Sequence, residues 1–143
     1  MKVGANCKNQ SWLYKILDTA TNLDPIYFQP YYYGALGLSV LVSDMEGSSK
    51  LYAKAMQNLP DNGYIAYNYA YHALSEEKNP AKAAGLLFMA AKQGAPTWVY
   101  SLAARLYTDA GQKEFAENVL KQAEANNVDE KILNRMKEKI NSK

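Results

Sequence analysis

Cysteine and histidine are almost missing from this chain of 143 residues, which has one of each, Cys7 and His72. A lone thiol forms no intramolecular disulfide, so nothing in the sequence demands an oxidising compartment. No His or Cys cluster has metal-ligand spacing, and neither a metal nor another cofactor is expected. No phosphate loop is recognisable, since Gly34 and Gly37 fall inside a helical pattern. Net charge is scarce too: sixteen Lys and Arg against fourteen Asp and Glu leave +2. That falls short of the electrostatic footprint of a nucleic-acid binder, so no nucleic-acid partner is expected.

A long apolar run is also lacking. Ile26 to Ser43 are eighteen consecutive uncharged residues, but they include Gln29, Pro30, three adjacent tyrosines and two glycines. Only Ala35 to Val42 is strongly apolar, which suits a buried helix better than a membrane span. Gly4-Ala5-Asn6-Cys7 has small residues ahead of a cysteine, as at a lipoprotein cleavage site, yet six residues precede Cys7 and no apolar signal core fits there. Residues 1–9 are expected to form a flexible leading segment. This chain is expected not to insert into a membrane.

Paired catalytic groups are absent as well. Glu76-Glu77 and Asp129-Glu130 fall near turns or helix starts, where carboxylates are solvated or complement the helix dipole. His72 aligns with Leu36 and Leu106 and is expected to be structural. Cys7 has no companion histidine to activate it. No enzymatic activity is expected.

What the sequence does contain is 48% hydrophobic residues, twelve of its residues being tyrosine, and an internal repeat. Shifting the chain by 36 sets Phe28 on Tyr64, Tyr31 on Tyr67, Tyr33 on Tyr69, Gly34 on Ala70 and Leu38 on Leu74. Beyond a turn it sets Ser48 on Ala84, Leu51 on Leu87, Ala55 on Ala91 and Pro60 on Pro96. A third copy aligns Trp98 with Tyr64, Ala104 with Ala70, and Ala116, Leu120 and Ala123 with Ala84, Phe88 and Ala91. A half copy precedes them, with Leu17, Ala20 and Pro25 in the places of Tyr52, Ala55 and Pro60. The small residues Gly34, Ala70 and Ala104 are expected to admit a close second helix, with Tyr52, Phe88 or Leu120 filling the space beside them. Pro25, Pro60 and Pro96 punctuate the array, because proline ends one helix and suits the first turn of the next.

The series Trp98, Ala104, Tyr107, Gly111, Ala116, Leu120, Ala123 resembles the tetratricopeptide repeat, and Lys82 to Leu87 with Ala90 to Ala95 resembles the related Sel1-like repeat. The resemblance covers roughly residues 11 to 127. It implies an all-α solenoid of seven or eight helices in antiparallel pairs, wound as a right-handed superhelix. The domain plan is a half repeat over 10–25, repeats over 27–62, 63–96 and 97–127, and a capping helix over 128–143. Helices are expected near 10–22, 30–43, 45–58, 63–75, 80–93, 97–109, 112–126 and 129–141. The second is placed to begin at Pro30, which would otherwise kink it. In the last, Ile132, Leu133, Met136 and Ile140 form one apolar stripe, with Lys131, Arg135, Lys137, Glu138 and Lys139 mostly opposite.

The first helix of each unit is nearly free of charge, whereas the second helices carry Lys50, Lys54, Lys82, Lys92, Lys113, Glu114, Glu117 and Lys121. In the resemblance, first helices line the concave side. There Tyr64, Tyr67, Asn68 and Tyr71 form a row at helical spacing, with Phe28 and Tyr31 before it and Trp98, Ser101 and Arg105 after it. Tyrosine and tryptophan bury large apolar area at low entropic cost and keep a polar tip, so the row is expected to be a peptide-binding groove with one cation. The same spacing also suits plain packing between helices, Asp109 stands four residues from Arg105 as a local ion-pair partner, and Asn68 suits either a peptide amide or a surface position.

Tetratricopeptide domains that grip acidic C-termini use several Lys, Arg and Asn side chains along the groove; the corresponding positions here are Tyr31, Ala35, Asn68, Trp98 and Leu102, of which only Asn68 fits, so a strongly acidic partner is not expected. The function expected is therefore a scaffold that binds a peptide or helix of another protein. Two alternatives stand beside it: self-association through the N-terminal half repeat into a homo-oligomer, and service as the soluble domain of a membrane-tethered bacterial assembly protein. Compartment is left open.

Overall fold

The computed structural model describes residues 11–142. Within them lie eight helices and no strand: α1 (Trp12–Leu23), α2 (Phe28–Leu41), α3 (Met45–Asn58), α4 (Gly63–Ser75), α5 (Pro80–Lys92), α6 (Trp98–Asp109), α7 (Lys113–Ala125) and α8 (Glu130–Asn141). The expected segment 1–9, with Cys7, lies outside the described residues. The chain divides into two compact units, one ending at Asn68 and the other beginning at Tyr69, so the boundary falls within α4. In the first, α2 packs on α1 and α3, and α1 also reaches α3. In the second, α6 packs on α5, α7 and α8, and α7 packs on α8. Contact between helices one and two steps apart along the chain is the pattern of a helical repeat.

The turn inside each helix pair has one construction. Ser43 and Lys78 at φ 53° and Gly111 at φ 74° stand in the left-handed region. Each is followed by the residue that starts the next helix, Asp44, Asn79 or Gln112. The N–H groups of these three donate back to the carbonyls of Leu38, Ala73 and Tyr107 at 2.8, 2.9 and 2.8 Å. Asp44 and Asn79 also accept the N–H of Gly47 and Lys82 on their side chains, satisfying donors that the first turn leaves open. Glycine enters this backbone region without steric cost, whereas Ser43 and Lys78 are held there by the bonds around them.

Burial gives the repeat a different register from the 36-residue shift. Tyr31, Ala35 and Leu38 of α2 are buried, as are Ala66, Ala70 and Ala73 of α4, and Tyr100, Ala104 and Tyr107 of α6. In the second helices Ser48, Leu51 and Ala55 correspond to Ala83, Leu86 and Ala90, and to Ala116, Val119 and Ala123. The first step is thus 35 residues. A slip of one residue turns a helix by about 100°, which is enough to exchange a core position for a surface one. Ala35, not Gly34, is therefore the partner of Ala70 and Ala104. Gly34 serves another contact: a Cβ built there would stand 2.7 Å from Leu17 Cδ2, so α1 lies directly against this side of α2.

Helix α2 begins at Phe28 rather than Pro30. Pro30 is its third residue, in the first turn, where a backbone N–H has no carbonyl to reach and its loss produces no kink. The cap helix α8 buries Met136 and Ile140. It is tied down by Lys137 to Glu124 at 2.8 Å and Lys139 to Asp109 at 3.1 Å. No helix among the described residues is long and apolar enough to cross a membrane.

Candidate partner-binding groove

Helix α6 has two distinct sides. Val99, Tyr100, Ala103 and Ala104 are buried, Tyr100 meeting Phe88 of α5 edge to face with ring centroids 6.3 Å apart. Burial raises the pKa of the Tyr100 and Tyr107 phenols, keeping both neutral inside the fold. The opposite side, Trp98, Ser101, Leu102 and Arg105, then has no choice but to face outward, because the spacing of three and four puts them in one row.

That row is one wall of a cavity of about 560 Å³ in the second unit, completed by Tyr71 and Leu74 of α4 and by Ile132 and Arg135 of α8. Tyr71 and Trp98 remain 47% and 45% exposed, so each residue keeps about half of its surface open at the cavity. The volume is within the range of sites that enclose a side chain or small ligand.

Four of the residues expected at the groove, Tyr71, Trp98, Ser101 and Arg105, are brought together here. The other five belong to the first unit. Tyr64 is exposed, Tyr67 and Asn68 are half-buried, and Phe28 is half-buried and stacked on Tyr32 with centroids 5.1 Å apart. Tyr31 is a correction. It is fully buried, its hydroxyl donating to the Pro25 carbonyl at 3.0 Å and accepting from Asn58 Nδ2 at 3.1 Å. Both its area and its polar tip are already used by the fold.

The cations also differ from expectation. Arg105 makes no ion pair with Asp109, whose carboxylate pairs with Lys139 instead. Arg135, assigned from the sequence to the solvent side of α8, joins Arg105 in lining the cavity. The groove therefore carries two guanidinium groups and no carboxylate among its lining residues. Leu74, Leu102, Ile132 and Arg135 were missed as groove residues. The signal for the last two was the α8 stripe itself, since Ile132 begins it and Arg135 lies three residues on, at its edge.

Among the described residues no group of three or more His, Cys, Asp or Glu side chains is placed to hold a metal ion. His72 is buried beside Tyr69, with ring centroids 6.5 Å apart. Comparison with protein-family models, curated proteins and solved structures returns no match. Fold and repeat together define the class as an all-α protein of helical-repeat type.

Proposed function

We propose that this chain is a non-catalytic, tetratricopeptide-like interaction module whose second unit binds a peptide or helix of another protein. The observation that carries the reading is the cavity in which Trp98, Tyr71, Leu102 and Ile132 stand beside two arginines. Aromatic rings and arginine at the centre of a concave surface are the residue types on which binding energy concentrates. The occupant that fits is an apolar segment with one carboxylate, the apolar side chain entering between Trp98 and Ile132 and the carboxylate reaching Arg105 or Arg135. An acidic run is a poorer match, because most of the lining is apolar and two cations neutralise only a short stretch.

The test uses a phage-displayed random peptide library panned on the whole chain. Selected sequences should share an apolar residue close to an Asp or Glu. A synthetic peptide of that consensus should bind ten- to a hundredfold more weakly, on the order of 2 kcal/mol, to Tyr71→Ala and to Arg105→Glu, with circular dichroism unchanged. Equal binding to the folded variants refutes the groove.

A further inference from the structure

The first unit carries an apolar surface that the groove does not use. A methyl at Gly37 would stand 3.8 Å from Leu13 Cδ2 and one at Gly34 2.7 Å from Leu17 Cδ2, so α1 runs along the Gly34–Gly37 side of α2. On α1 the exposed residues Trp12, Ile16 and Leu23 lie on the Leu13 flank. On α2 the exposed residues Tyr33, Leu36 and Val40 lie on the Gly37 flank. The two stripes therefore meet on one side of the helix pair. Helix α2 is apolar on every side, and a helix of that kind is normally covered all round.

Three properties choose the occupant. The α2 stripe comes from a stretch without a single charged residue, Ile26 to Ser43, and the three α1 residues are apolar. Tyr33, Val40 and Ile16 are 66%, 67% and 55% exposed. Together the six residues expose an area on the order of several hundred Å², as large as the largest patch a typical monomer leaves open and comparable with what one partner contributes to a standard interface. Lastly, nothing on the patch would select a charged partner, in contrast to the two arginines of the second unit. A second copy brings the same apolar stripe, with Lys15 of α1 exposed at its border, and the two can face each other about a two-fold axis, where each residue pattern must match itself.

We infer that the chain self-associates through this α1–α2 face as an isologous dimer. Light scattering coupled to gel filtration at about 100 µM chain should give twice the 16.0 kDa chain mass. Val40→Glu and Ile16→Lys, made separately at exposed positions, should each give a monomer with unchanged circular dichroism. Arg105→Glu, in the other unit, should leave the dimer intact. On wild-type chain, dilution below the dissociation constant should speed amide hydrogen exchange in α1 and α2 and leave α7 unchanged, which tests the face without relying on any variant folding. A monomer at every concentration overturns the inference. So does a dimer that both folded face variants retain, or a dilution effect confined to the second unit.

Discussion

Asp44 joins two helix starts through one carboxylate. Its Oδ1 accepts the Gly47 N–H at 2.9 Å and caps α3, while its Oδ2 accepts the Ser11 hydroxyl at 2.6 Å. Ser11 in turn accepts the Tyr14 N–H at 3.1 Å and caps α1. The carboxylate is fully buried, and Gly47 has no side chain because a Cβ there would lie 2.6 Å from Asp44 Oδ2. Asp44→Ala should cost about 2–4 kcal/mol in urea unfolding, whereas Ser11→Ala should cost about 1–2 kcal/mol, because it removes one cap and one partner. Tyr52 gives a pH test. Burial first, and the charge of Tyr32 second, push its phenol up to about 12 from 10.0. The unfolded chain therefore ionises first as pH rises. Stability should be complete below about pH 10 and fall, by up to about 3 kcal/mol, as pH approaches 12. The fall in urea midpoint between about pH 9 and about pH 11 should be smaller in Tyr52→Phe than in the wild type, the remainder coming from Tyr14, Tyr100 and Tyr107, whose phenols burial also raises.

At the scale of the helix, Gly34 marks where α2 meets α1 closely, a Cβ there standing 2.7 Å from Leu17 Cδ2. Alanine at 34 improves helix propensity by about 1 kcal/mol but drives a methyl into the Leu17 side chain, so Gly34→Ala should be destabilising by about 1 kcal/mol net. In the background of Leu17→Ala the same change should become stabilising. A double-mutant cycle without coupling contradicts the contact.

These helices also show what was legible in advance. The internal repeat, its proline punctuation and the apolar stripe of the last helix located the eight helices of the described residues, and α3 and α4 run over 45–58 and 63–75 as read from sequence. Register was harder. Tyrosine and alanine recur so densely that a one-residue slip still matches Tyr31 with Tyr67 and Ala55 with Ala91. Burial instead pairs Tyr31 with Ala66, and that slip is what put Tyr31 in the groove rather than the core. Arg135 was illegible for another reason: its partners in the cavity lie on α4 and α6, far away in sequence, and no local pattern on α8 reports them.

On the scale of the chain, the two units divide the surface chemistry between them. The first presents uncharged apolar area on α1 and α2, and the second an aromatic groove with two arginines. Binding by the second should therefore weaken with salt, since a carboxylate paired to Arg105 or Arg135 is screened. Self-association through the first should be insensitive to salt or strengthened by it, as apolar burial is. The most direct measurement of the groove follows from the two tryptophans of the sequence, Trp12 and Trp98. In Trp12→Phe, Trp98 is the sole indole, and titration with the selected acidic-apolar peptide should shift its emission saturably, with the shift lost in Arg105→Glu. A peptide that binds while leaving Trp98 emission unchanged would contradict the account.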